Sequence, residues 1–447
     1  MPDYPNTKQS PDPSVASDHT VIYPAFIAAK RRFRIGSRRW AQLHAGWAVM
    51  LLFERCATAI RSLGLSERII IDTRGAVADV ESGRMRGILD RVIDAIVDTR
   101  PFEVVLASIG RYAERLHKTG QLPLTVDIDH RILHYAAVYD TVNRVDVYRR
   151  ITYCLNAIGR SDEAHHICET GIEWAAARGD SGAAVHLEIT RGRLFRVAGQ
   201  TTDSMTHLDR AVRKADMLGD SELIYRSTYE RGLLAYDTGD SVLALLYYRP
   251  ALHALREFRT RDSAAALDAR NRLVTDIGQA FRKIGLPDTA RNLHLAIYLT
   301  ADECYARWTA AINLMALAIE RRQRDTFHHF RAELEMAPLP ARLLIPFLEE
   351  LCDGYLAFDE PGAARDAHLR LARIARQYGL HAQSERAFQF LRHGVGIPPR
   401  TSALPAELPQ EIASLAGELL DLCELPAWLK DGMVDTEAVR EHYSNPV

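Results

Sequence analysis

Apolar side chains return every three to four positions along most of the chain from Val21 onward, and the runs are broken by Gly, Asp and Pro. A repeat near 3.6 residues is what one buried face of an α-helix requires, so an all-α fold is expected. Helices are predicted at about 41–63, 82–98, 101–118 and 129–157, the last broken near Thr141-Val142-Asn143. Ser82 can cap the second, because its hydroxyl can accept from a free amide of the first turn. Pro101 suits the start of the third, where its missing N–H leaves nothing unsatisfied. Arg68-Ile69-Ile70-Ile71-Asp72 is a strand-like run that fits a helix equally well. Residues 1–20 are Pro-rich and poor in large apolar side chains, so they are predicted to stay disordered.

A longer period is superposed on the helical one. Gly159, Gly199 and Gly239 stand 40 residues apart, and Gly179 and Gly219 repeat the same step, each followed by Asp. Seven positions before the first ladder stand Thr152, Gly192 and Gly232; five after it stand Ala164, Ser204 and Ala244; Gly285 continues the register with Gly278, Phe281 and Ala290. Small residues at fixed places let two helices cross closely. The ladder glycine supplies the left-handed residue that ends a helix, and the Asp or Ser after it caps the next, as in Gly239-Asp240-Ser241 and Gly159-Arg160-Ser161-Asp162. Such a period marks an array in which each unit buries its apolar face only against its neighbours. A weaker copy is centred on Asp359.

This pattern resembles the tetratricopeptide (TPR) repeat, with Gly192/Phe195/Ser204/Leu208/Ala211 the best copy and Gly232/Ala244/Tyr248/Ala251 and Gly278/Phe281/Ala290 next. The step of 40 exceeds the family's usual length and is similar to the longer repeats in sensor domains of bacterial transcription regulators. The family's Trp and terminal Pro are missing, and in the degenerate unit at 302–336 Gln323 takes the glycine place and His328 the small place. The resemblance implies an α-solenoid, a right-handed superhelix of helical hairpins, over 145–395. It leaves a tail over 1–20, irregular helices over 21–144, and a Pro-rich linker with a capping helix, Glu411 to Leu422, over 396–447.

In that family the first helix of each unit lines a ligand groove. Carried over by position, the resemblance places Arg149 and Tyr153 there from the first unit, then His186, Ile189, Arg193 and Arg196. Arg226, Tyr229, Leu233 and Tyr236 follow, then Arg272, Thr275, Gln279, Arg282 and Lys283. Arginine offers a planar fork to carboxylate and tyrosine gives rigid contact area, so an acidic or C-terminal-carboxylate peptide is the expected ligand, with Glu188, Glu230 and Asp276 near enough in sequence to neutralise some of the charge. The function expected is a non-catalytic protein- or peptide-binding scaffold. The alternative is a regulator that senses a peptide or metabolite, with a basic N-terminal arm on nucleic acid.

Composition narrows this further. With Lys+Arg 56, Asp+Glu 58 and a net charge of −2, no global field draws the chain to nucleic acid or anionic membrane. The scarcity of lysine among the basic residues reads as coding bias. Residues 30–39, KRRFRIGSRR, form a local basic cluster beside Phe33 and Trp40; nothing near it resembles a recognition helix pair, so nucleic acid is not an expected partner. The apolar run from Ala41 to Phe53 is too short to span a bilayer. No signal-peptide core precedes it, and the six scattered cysteines suit a reducing compartment, so a cytoplasmic protein is expected. Phosphate-loop, nucleophile-elbow and HExxH motifs are absent, and no enzyme activity or cofactor is predicted. His130 and His134, spaced to share one metal behind Asp127 and Asp129, and the pairs His165-His166 and His328-His329 lack a third and fourth ligand, so no metal is expected.

Overall fold

The computed structural model describes residues 23–59, 67–81, 83–98, 100–136, 143–258, 263–377, 381–393 and 410–423. The predicted tail over 1–20, the Ser82 cap and the Pro398-Pro399 linker lie outside them. The described residues form twenty α-helices and no strand. None of these helices is long and apolar enough to cross a membrane. They fall into two compact units, the first ending at Leu194 and the second beginning at Phe195.

The first unit contains α1 (Pro24–Arg31), α2 (Arg38–Ala59), α3 (Glu67–Ala78), α4 (Arg84–Val97), α5 (Phe102–Lys118), α6 (Leu122–Ala136), α7 (Arg144–Ala157) and α8 (Ser161–Ala177). It also holds α9 (Ser181–Val197) as far as Leu194. The ambiguous Ile-rich run is helical, in α3. Asn143 caps α7, its side chain accepting from the Asp146 amide at 3.4 Å. One apolar core runs from Phe26 and Phe53 through Ile93, Ile109 and Ile132 to Ile151, Leu155 and Cys168, so the irregular helices share their interior with the first repeat.

Two charged knots cross that core. Glu54, 5% exposed, accepts from the Tyr23 hydroxyl at 2.6 Å, from Tyr135 at 2.6 Å and from both Arg131 nitrogens at 2.7 and 2.6 Å. These donors more than offset burial and hold its carboxyl below the usual range. Asp129, fully buried, takes a bidentate guanidinium from Arg150 at 2.7 and 2.6 Å. There burial wins, lifting the carboxyl to about 6, which still leaves the pair ionic at neutral pH.

The second unit continues with hairpins: α10 (Thr201–Leu218), α11 (Ser221–Asp237) with α12 (Ser241–Phe258), and α13 (Ser263–Lys283) with α14 (Pro287–Thr300). α15 (Cys304–Glu320) pairs with α16 (Arg324–Met336), α17 (Ala341–Ala357) with α18 (Pro361–Gln377), and α19 (His381–His393) and α20 (Gln410–Leu422) follow. The predicted turn chemistry is present. Gly199, Gly239 and Gly285 have φ of 73°, 91° and 88°, and the amide after each reaches back to close the helix, as Asp240 does to the Ala235 carbonyl at 2.9 Å. Asp220 accepts from the amides of Glu222 and Leu223 at 2.9 and 3.1 Å, and Asp240 from Leu243 at 2.9 Å.

Three local expectations need correction. α8 has no side-chain cap; Ser161 turns back to Asn156 Oδ1 at 3.1 Å, and Arg160 occupies the cap position. The glycine place after α15 is taken by Arg322, with φ of 57°, rather than Gln323, whose amide instead makes the closing bond to Ala318 at 2.9 Å. Finally, α20 packs against α12 instead of the last hairpin. Leu415, Leu419 and Leu422 join the core there, while Arg249 reaches Glu418 at 3.2 Å and Arg270 reaches the Cys423 carbonyl at 2.5 Å.

Small residues and large plugs interlock as the register requires. A Cβ placed on Gly232 of α11 would lie 2.2 Å from the Tyr248 ring of α12, and one on Gly278 of α13 would lie 2.7 Å from His294 of α14. Tyr248 and His294 hold equivalent places, and both are fully buried. Burial, reinforced by Arg282, pushes the His294 imidazole down to about 3, so it is a neutral plug.

Candidate functional site

The first helices of neighbouring hairpins touch one another directly: α11 meets α13, α13 meets α15, and α15 meets α17. They form a layer of their own in the second unit, and its exposed side carries seven of the ten predicted groove residues. Arg196, Tyr229, Tyr236 and Arg282 are half-buried there, and Arg226, Arg272 and Lys283 complete the set.

Side chains bridge this layer from helix to helix. Arg196, at the end of α9, donates to Glu230 at 3.3 Å and to Asp237 at 2.5 Å, both on α11. Tyr229 of α11 donates to Asp276 of α13 at 2.5 Å. From α13, Gln279 donates to Asn313 of α15 at 2.5 Å, and Arg282 holds Glu320 at 2.8 Å through Nε and 2.7 Å through Nη2. Lys283 sits 3.7 Å above the Tyr236 ring, a cation–π contact between α13 and α11. Arg226 and Arg272 differ, pairing along their own helices with Glu222 at 2.7 Å and Asp268 at 2.9 Å. The other three predicted residues belong to the first unit. Arg193 lies 5.7 Å over the Tyr153 ring, and Arg149 pairs with Asp146 at 3.1 Å.

Each arginine of the second-unit set therefore already has a carboxylate. Glu230 pairs with Arg196, as its sequence position suggests, and Asp276 accepts from the Tyr229 hydroxyl, whereas Asp237, Asn313 and Glu320 are partners the sequence did not point to. Asn313 and Glu320 lie where the glycine ladder has slipped; their signal is their distance of 34 and 38 residues beyond Gln279 and Arg282. Thr275, expected on this face, is packed inward, its hydroxyl donating to the Asn271 carbonyl at 2.7 Å, and Ile189 of the first unit is likewise buried. Burial lifts Asp276 to about 6 against the opposing Tyr229 hydroxyl, and lifts Glu350 on α17 to about 7 against the pull of Arg282. The layer thus presents a charge-compensated strip of guanidinium, carboxylate, amide and phenol groups. The Nδ2 amide of Asn313 is buried and has no acceptor among the described residues.

No protein-family model and no curated protein matches the chain. Among solved structures it is similar to a Rap protein complexed with Competence and Sporulation Factor, at 12% identity and a TM-score of 0.33, over 76% of this chain and 99% of that one. It is also similar to a circular tandem repeat protein with novel repeat topology, at 13% identity and a TM-score of 0.18, over 85% of this chain and 99% of that one. Likenesses this distant say nothing about what the strip binds, so the assignment rests on its own geometry.

The histidine groups do not converge. Asp127 accepts from the Ala25 amide at 2.9 Å, Asp129 is held by Arg150, and the His134 ring packs edge-on to Tyr135. His328 pairs with Glu360 at 2.9 Å. Among the described residues no three His, Cys, Asp or Glu side chains stand where they could share a metal ion.

Proposed function

We propose that the protein is a non-catalytic scaffold that captures a peptide or protein segment along the first-helix layer of its second unit. The observation that carries this reading is the succession of half-buried polar bridges Arg196–Glu230, Tyr229–Asp276, Gln279–Asn313 and Arg282–Glu320. They put donors and acceptors side by side along one surface. An extended backbone offers the complementary alternation of N–H and C=O groups. Acidic side chains of the ligand would compete with the more exposed Asp237 and Glu320 for Arg196 and Arg282, while the buried Glu230 keeps its place on Arg196.

Selection of a random-peptide display library on the full chain, followed by anisotropy titration of the strongest synthetic binder, tests this reading. Acidic sequences are expected to be enriched. Arg196→Gln and Arg282→Gln are each expected to weaken binding about tenfold, the loss of one charge-assisted hydrogen bond, while Arg213→Gln on α10 leaves it unchanged. Absence of enrichment, or equal affinity in all three variants, would refute the assignment.

A further inference from the structure

A pocket of about 450 Å³ opens in the first unit between α1, the turn after it and the start of α2. Its walls are Phe33, Trp40, Trp47 and Ile27, and its charged lining is Lys30 and Arg31, with no acidic side chain. Lys30 Nζ lies 5.3 Å from the Trp40 ring centre and 4.6 Å from that of Trp47. Its hydrogen bond among the described residues goes to His44 Nδ1 at 3.0 Å, a neutral acceptor. Burial, with Lys30 adding to it, holds the His44 imidazole below its ordinary value, which keeps the ring neutral beside the ammonium. Of the acids nearby, Glu81 is tied to Arg38 at 2.8 Å. The Nε1–H of Trp47 is also buried without an acceptor among the described residues.

An ammonium held among aromatic rings, with a neutral imidazole as its hydrogen-bond partner and no carboxylate in the pocket lining, lacks an anion. Cation–π contacts stabilise such a charge only partly. We propose that this pocket binds a small flat anion, an aromatic carboxylate, with its ring among Phe33, Trp40 and Trp47 and its carboxylate on Lys30. The volume suits a compact ligand, and the aromatic walls select a planar body over a branched one.

Calorimetric titration of the full chain with 2-naphthoate and with the uncharged 2-naphthalenemethanol tests the proposal. Naphthoate is expected to bind at least about tenfold more tightly than the alcohol, the discrimination expected of a hydrogen bond to a charged group. Lys30→Met, which keeps the packed stem, is expected to erase the difference. Trp40→Leu, which removes one aromatic wall, is expected to weaken naphthoate binding several-fold, and it decides the matter if the Lys30 variant does not fold. Arg282→Gln in the second unit is expected to leave naphthoate binding intact, so failure of the peptide site and failure of this one are distinguishable. Equal affinity for acid and alcohol, a preference that survives Lys30→Met, or naphthoate binding unchanged by Trp40→Leu would overturn the proposal.

Discussion

Replacing Gly232 with Ala is expected to destabilise the protein by about 2 kcal/mol, although Ala is the better helix former by about 1 kcal/mol. The added Cβ would meet two atoms of the Tyr248 ring at 2.2 and 2.4 Å. That ring is fully buried, so it cannot swing away, and overpacking of this kind costs up to about 3 kcal/mol. Tyr248→Ala opens a cavity instead and is expected to cost about 3–5 kcal/mol. The informative quantity is the double variant. With the ring gone, the new methyl group fills part of the hole, so the two changes together should cost at least about 1 kcal/mol less than their sum. Urea unfolding followed by circular dichroism reads all three values. Strict additivity would mean that α11 and α12 do not interlock at this point.

The second large effect lies in the first unit. Arg150→Met is expected to cost about 3–5 kcal/mol at neutral pH, because it strands the Asp129 carboxylate in the core. The pH dependence has a definite sign. In the wild type the folded carboxyl titrates near 6, above an unfolded value near 3.9, so its contribution to stability is fully present below the unfolded value and lost as pH rises through about 6. Removing the guanidinium takes away the group that lowers this carboxyl and raises it further, so the variant relieves its burden by taking up a proton. The stability gap between wild type and Arg150→Met should therefore narrow as pH falls from 7 toward 5. A gap under about 1 kcal/mol at pH 7, or one independent of pH, would contradict the ionic reading of the pair.

Features governed by local geometry were legible in the chain before its fold was known. A left-handed turn after a helix strongly favours glycine, which is why Gly199, Gly239 and Gly285 could be assigned to their turns. Close helix crossing demands small residues, which placed Gly232 and Tyr248 in one repeat copy, and the structure sets the Tyr248 ring against Gly232. Where a turn tolerates another residue at a cost of about 1–2 kcal/mol, the register blurs; Arg322 and Asp359 both take positive φ, and the former was displaced by one position in the sequence reading. The position of α20 was hidden for a different reason. Amphipathic spacing says that Leu415, Leu419 and Leu422 bury a face, but not that α12 covers it. The candidate site divides in the same way. Helical register brought Arg196, Tyr229 and Arg282 to one layer, whereas the partners Asp237 and Glu320 depend on how adjacent helices are staggered.

The central claim is that a peptide lies on the first helices of the second unit. Hydrogen exchange of the full chain, with and without a display-selected peptide at saturation, tests it most directly, since bound segments gain amide protection. Protection is predicted to rise in α11 (Ser221–Asp237), α13 (Ser263–Lys283) and α15 (Cys304–Glu320), with α12, α14 and α16 little changed. Protection confined to α12, α14 and α16, or to the first unit alone, would contradict it.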